Sequence, residues 1–137
     1  MVPAPLPEVS AVQEELLWSL RYEDDQGLWE VAWTLDCSPE QPQAVIDAKV
    51  GLARRVTWGL LDRREVEVWE MDGWPPKSYR PVSLAEFRDA EDEDDIWVRP
   101  DRATRLFELR AVDGTSSPDS DAPARSLWAR LWRRPQA

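Results

Sequence analysis

The chain has 137 residues, of which 42% are hydrophobic, and a formal net charge of −10 at pH 7. Such an acidic protein is poorly suited to nonspecific binding of nucleic acid or of anionic membranes. Histidine is absent, which removes the commonest general base and metal ligand. The single cysteine, Cys37, cannot form an internal disulfide.

Signatures of catalysis and of membrane insertion are also missing. The sequence has no Gly-rich phosphate loop, no Ser or Cys nucleophile signature and no Cys/His metal spacing, so we expect no enzymatic activity, no cofactor and no metal. No apolar run approaches the ~20 residues of a membrane span. Because MVPAPLPEV lacks a basic region and an apolar core, we do not expect it to act as a signal peptide. We expect one soluble, cytoplasmic domain with extensions. Its nine Trp residues should mainly fill the core, and an exposed cluster of them would mark a binding surface.

The N-terminal region is predicted to be a flexible lead-in followed by a helix. Residues 1–8 contain three prolines. Ser10 is predicted to be the N-cap, with Gln13 at the capping-box position and Val9 placed as a hydrophobic staple. The helix should run to about Tyr22 and end in a polar turn at 23–27. Its apolar stripe consists of Val12, Leu16, Leu17 and Leu20.

A second, short helix is predicted from about Leu28 to Leu35. Its inner face consists of Leu28, Val31, Ala32 and Leu35. Trp29 and Trp33 are four residues apart and therefore share an adjoining face. Two interpretations are open: the pair covers the edge of the core, or it is a contact site for a partner.

A long helix over 42–61 should lead directly into a strand over 65–71. The apolar positions Ile46, Val50, Ala53, Val56 and Leu60 recur every three or four residues. Gly51 and Gly59 each weaken the helix by up to ~1 kcal/mol, so packing must hold it. From Glu65 the apolar and acidic residues alternate, which predicts a strand. The change of period within a few residues indicates that the helix packs on the sheet.

The next part of the chain should complete the sheet. A stiff loop at 72–78 precedes a strand at 79–82, which Pro81 confines to an edge. Ser83 is the predicted N-cap of a helix over 84–90. The five consecutive acids from Glu91 to Asp95 lack the alternating ligand pattern of a calcium loop, so we predict a solvated, self-repelling loop. Trp97 should anchor this segment ahead of a final strand at 104–111.

The composition changes from residue 113 onward. Residues 113–123 are predicted to be a disordered linker, and 124–137 an amphipathic tail. Residues 1–113 carry 13 basic and 25 acidic side chains, whereas 114–137 carry 4 and 2. On a helix, Leu127, Trp128, Leu131 and Trp132 would share a face flanked by Arg125 and Arg130. The tail is predicted to dock in a groove of a partner; the alternatives are that it folds back on its own acidic body or associates weakly with a membrane surface.

The order of elements resembles that of a winged helix-turn-helix domain. GLWEVAWTL (27–35) and KVGLARRVTWGLLDRREVEVWE (49–70) resemble the second and third helices of such a domain running into the wing. The chain is also similar to small winged-helix proteins that carry an acidic stretch and a Trp after the wing. The resemblance implies an α+β fold over residues 9–112, with a three-helix body and a small antiparallel sheet.

Winged helices commonly bind DNA through the third helix and the wing. That role would fall here on Lys49, Arg54 and Arg55 of the helix and on Lys77 and Arg80 of the wing. Phosphate contacts supply most nonspecific affinity for DNA, and the net charge of −12 over residues 1–113 opposes them. The leading prediction is therefore a non-catalytic protein-interaction module with a protein partner. The alternative is a DNA-binding transcriptional regulator.

Overall fold

The computed structural model describes residues 6–112. Over this range the chain is an α+β protein with five helices and one four-stranded antiparallel sheet. The predicted α+β class with an antiparallel sheet is confirmed. The elements in chain order are α1 (Val9–Tyr22), β1 (Gln26–Gly27), α2 (Leu28–Thr34), α3 (Gln43–Asp62), β2 (Val66–Met71), β3 (Tyr79–Pro81), α4 (Leu84–Ala90), α5 (Asp95–Val98) and β4 (Leu106–Ala111).

The sheet has the strand order β1-β4-β2-β3. The long ladder joins β2 to β4, from Val66 opposite Ala111 to Met71 opposite Leu106. β3 lies at an edge, as Pro81 predicted. β1 was predicted to be part of a polar turn, and that prediction is wrong. Gln26 and Gly27 pair with Leu109 and Glu108 of β4. A strand of two residues is too short to show an alternating pattern in the sequence.

The main core lies between the helices and one face of the sheet. The predicted stripes of α1 and α3 are buried there, against Val66 and Val68 of β2 and Phe107 and Leu109 of β4. Because side chains alternate along a strand, the intervening residues face the other way: Glu67, Trp69 and Met71 of β2 and Leu106, Glu108 and Arg110 of β4. That second face holds a smaller cluster, in which Trp29 and Met71 are buried.

The ends of the helices confirm one predicted cap and correct another. Ser83 caps α4, its Oγ accepting a hydrogen bond from the backbone N–H of Glu86 at 3.1 Å. Ser10 does not cap α1, because the helix already begins at Val9 with the extended residue Glu8 before it. Gln13 closes no capping box; its buried amide instead donates to the carbonyl of Val56 in α3 at 3.3 Å.

The two glycines of α3 differ in what surrounds them. A Cβ at Gly51 would meet nothing within 4 Å, whereas a Cβ at Gly59 would lie 2.1 Å from the amide nitrogen of Gln13. We expect Gly51→Ala to raise the free energy of unfolding by about 0.5–1 kcal/mol, because alanine costs less backbone entropy than glycine. Gly59→Ala should lower it, because it displaces the buried Gln13 amide. Urea denaturation of both variants checks this, and an equal gain from both would contradict the packing of α1 on α3.

Candidate functional site: an apolar groove beside α1

The outer side of α1 presents two large aromatic side chains to solvent. Trp18 is 56% exposed and Tyr22 is 66% exposed. They lie one helical turn apart, and their ring centroids are 5.6 Å apart. Among the described residues the other large exposed hydrophobic side chains are Leu6, Leu84 and Val112. This pair was not predicted from the sequence. The available signal was that Trp18 and Tyr22 are four residues apart, so they share a helix face, and that neither belongs to the apolar stripe.

Trp18 forms part of the wall of a groove of about 340 Å³ between α1 and the end of α2. The apolar part of the wall consists of Pro7, Ala11, Val12, Leu16, Trp18 and Leu35. The polar part consists of Glu15, Ser19, Glu23, Gln26 and Thr34. The groove is therefore an apolar cleft, and among the described residues of its wall the charged ones are two glutamates.

The polar groups at one end of the groove bond to one another. The Ser19 hydroxyl donates to the Glu23 carboxylate at 2.7 Å, and the Gln26 amide donates to Ser19 Oγ at 2.7 Å. Glu15 lies exposed on the wall. Within residues 6–112 no Lys or Arg lines the groove, so its electrostatic field favours an occupant that is apolar on one side and basic on its flanks.

A second cluster of chemically distinctive side chains lies on the second face of the sheet. The Arg110 guanidinium carbon is 4.2 Å from the ring centroid of Trp69 and 4.7 Å from that of Tyr79. Arg110 Nε lies 2.6 Å from Glu108 and 3.7 Å from Asp25. Burial raises the pKa of Glu108 to about 7 and that of Asp25 to about 6.

Two carboxyl groups with a raised pKa beside one guanidinium can mark an acid-base site. Here the Glu108 side chain is only 5% exposed, Arg110 is covered by two aromatic rings, and the nearby Trp29 and Met71 are buried. We interpret the cluster as a structural ion pair that keeps a buried glutamate bonded, and it was not foreseen from the sequence.

The acidic run at 91–95 is not the solvated loop that the sequence predicted. Asp95 begins α5, and Glu91 is buried. Arg54 of α3 donates to the Glu91 carbonyl at 2.8 Å and to Asp94 at 3.2 Å. The indole N–H of Trp97 donates to the same carbonyl at 3.0 Å. Arg54, 37 positions away from Glu91, and Arg99, which lies 3.3 Å from Asp95, thus offset the repulsion that the run alone would suffer.

Arg54→Met is expected to lower the free energy of unfolding by about 2 kcal/mol, because it leaves partly buried acids without their cation. The matched control is Arg55→Met on the same helix, where the arginine is exposed and the cost should stay within about 0.5 kcal/mol. Urea denaturation measures both. Equal costs would contradict a structural role for Arg54.

The residues predicted to contact DNA do not form one free basic surface. Arg54 is engaged by the acidic run, and Arg80 forms ion pairs with Glu70 and Glu86. Hydrogen bonds from Arg80 and Arg105 hold the pKa of Glu86 down at about 2. The Lys49 ammonium donates to the Asp36 carbonyl at 2.9 Å. Arg55 and Lys77 are exposed on different elements.

The predicted Trp pair is divided by burial. Trp29 is 0% exposed and packs on Met71, so its side chain cannot reach a partner. Trp33 is half-buried against the same cluster. For Trp29, the structure therefore fits the interpretation that the pair covers the edge of the core. It does not fit the interpretation that Trp29 is a contact site for a partner. Other predicted contact residues lie outside the described range: Arg125, Leu127, Trp128, Arg130, Leu131 and Trp132.

Within residues 6–112 no group of acidic or cysteine side chains is arranged to hold a metal ion. In the same range no helix combines the length and hydrophobicity needed to cross a bilayer. Comparisons of the chain with protein-family models, with curated proteins and with solved structures give no match. The function is therefore inferred from geometry.

Proposed function

We propose that this chain is a non-catalytic protein-interaction module, and that its groove beside α1 binds a basic amphipathic helical segment of a protein partner. The observation that carries this proposal is the exposed Trp18 on the wall of an apolar groove bounded by Glu15 and Glu23. Tryptophan is enriched among the residues that dominate binding energy in protein interfaces. An apolar groove that receives one face of a helix is a recurrent mode of peptide recognition.

The groove is better suited to side chains of a helix than to a small polar ligand. Its volume of about 340 Å³ is at the lower end for small-molecule sites. Of its polar groups, the Ser19 hydroxyl donates to Glu23 and accepts from the Gln26 amide nitrogen. What the groove offers is apolar contact surface together with the negative charge of Glu15 and Glu23.

We also propose a winged-helix-like architecture for the body. The order α1, β1, α2, α3, β2 and a last strand β4, with β4 between β1 and β2, supports it. The insertion of β3, α4 and α5 before β4 departs from the simplest form. The ion pairs that engage Arg54 and Arg80 favour a protein ligand over DNA for this body.

The test compares two substitutions of exposed hydrophobic residues in the full chain. Trp18→Ala removes the groove residue, and Leu84→Ala removes a side chain of similar exposure on α4, 45% against 56%. Each immobilised protein is incubated with nuclease-treated lysate, the retained protein is identified, and its Kd is measured by calorimetry. We expect Trp18→Ala to weaken the complex tenfold or more, and Leu84→Ala to leave it unchanged.

Equal affinity of the Trp18→Ala variant and the native chain would overturn the proposed site. A parallel incubation uses lysate that has not been treated with nuclease. Retention there of nuclease-sensitive material, lost on Arg55→Glu, would instead support the DNA-binding alternative.

A further inference from the structure

We propose that residues 124–134 of the chain itself occupy the groove beside α1 in the free protein, so that a partner must displace them. This inference rests on the proposed function of the groove and adds its regulation. A docked segment of this kind would make binding conditional: only a partner with higher affinity than the tethered segment would gain access.

The chemistry of residues 124–134 matches the walls of the groove. The segment reads ARSLWARLWRR. Leu127 and Leu131 are four residues apart, each followed by a Trp, and the segment carries four Arg and no acid. The groove offers the complement, an apolar wall with Trp18 and two glutamates. Apolar burial and the Arg–Glu attraction therefore favour the same pairing.

The chain leaves the described body close to α1. The backbone N–H of Val112 donates to the carbonyl of Glu65 at 3.1 Å. The carboxylate of Glu65 lies 3.6 Å from Arg21, which is in the last turn of α1, beside Tyr22. Trp18 is one turn further back on the same helix.

Residues 113–123 are long enough to connect that point to the groove. Eleven residues span at most about 40 Å when extended, whereas a 100-residue domain has a radius of gyration of about 13 Å. A short covalent connection gives an effective concentration of the order of millimolar. Even a weak interaction of the segment with the groove would therefore keep it filled.

The experiment uses the ¹⁵N-labelled full chain and reads the groove by NMR. Trp18→Phe identifies the indole N–H signal of Trp18, and the amides of Glu15, Ser19 and Glu23 report on the wall. The native chain is compared with Leu127→Ser/Leu131→Ser, which removes apolar contacts of the segment. The matched control is Ala129→Ser in the same segment.

We expect the double substitution, and not the control, to shift the Trp18 indole and the groove amides. The native signals should be unchanged on tenfold dilution, because the contact is within one chain. They should move toward those of the double variant in 0.5 M NaCl, because salt weakens the Arg–Glu attraction. The double variant should bind the captured partner about tenfold more tightly.

If the double substitution leaves the chemical shifts of the Trp18 indole and the groove amides unchanged, the inference is overturned. The inference is also overturned if the difference between the native chain and the double variant disappears on dilution, because the segment would then contact a second copy. It is overturned too if the shifted signals are those of Lys49 and Arg55. The proposed function and the proposed docking of residues 124–134 can be refuted independently of each other. If Trp18→Ala abolishes partner binding while the double substitution leaves the groove signals unchanged, only the tail inference is lost. If the groove signals shift but Trp18→Ala does not weaken partner binding, the proposed function is lost.

Discussion

Trp97→Ala is expected to lower the free energy of unfolding by about 4 kcal/mol. Trp97 is 0% exposed, and replacement of a buried Trp by Ala costs roughly 3–5 kcal/mol. Its indole N–H also holds the Glu91 carbonyl at 3.0 Å, and Arg54 lies over its ring at 6.0 Å. Since domains of this size are stable by only about 5–15 kcal/mol, the variant should lose a large fraction of its free energy of unfolding.

The matched control is the same substitution at an exposed position. Trp18→Ala removes an indole that is 56% exposed, so its cost in urea denaturation should stay below about 1 kcal/mol. A loss of 3 kcal/mol or more at Trp18 would mean that this side chain belongs to the core, and the groove would lose its leading contact residue. A small loss at Trp97 would contradict the packing of α5.

The free energy of unfolding is expected to fall as pH rises from 5 to 8. Burial raises the pKa of Glu108 to about 7 and of Asp25 to about 6 in the folded protein. A carboxyl whose pKa is raised by folding binds protons preferentially in the native state, so its favourable contribution is present at low pH and is lost as pH rises through the folded pKa. The two groups face the same Arg110 and are coupled, so we expect a total loss of about 2–3 kcal/mol.

Other shifted carboxyl groups act in a different pH window. The pKa values of Glu70 and Glu86 are lowered by hydrogen bonds and ion pairs with Arg105 and Arg80. Their stabilisation is present above the unfolded pKa and is lost as pH falls through the folded values, below pH 5. The range from pH 5 to 8 therefore isolates Glu108 and Asp25.

Glu108→Gln tests the assignment, because it removes the ionisation of the more deeply buried group. The variant should lose most of the decline between pH 5 and 8, and Glu14→Gln, at an exposed position of α1, should retain it. Urea midpoints across the pH range measure both. A native stability that rises over this range would contradict the burial of Glu108.

Several parts of the fold follow directly from periodicity. The stripes of α1 and α3, the alternation in β2, the N-cap Ser83 and the edge position of Pro81 were all confirmed. Each depends on residues close in sequence, for which spacing determines the face of a helix or strand.

The remainder depends on contacts between distant residues. The strand β1 exists because β4 pairs with it, and the acidic run is ordered because Arg54 reaches it across 37 positions. Burial of Trp29 and exposure of Trp18 are set by packing, so the spacing of Trp residues in the sequence could not show which of them reaches solvent. Neither the ion pair of Glu108 and Arg110 nor the groove carries a local pattern.

We propose that a protein partner binds the groove beside α1. Backbone hydrogen exchange of the full chain, with and without the captured partner, tests it most directly. We predict added protection in the second half of α1 and at Thr34 and Leu35, with α3 unchanged at Lys49 to Arg55. Added protection at Lys49 to Arg55 and at Lys77 to Arg80, with α1 unaffected, would contradict the account and place binding on the third helix and the β2–β3 hairpin.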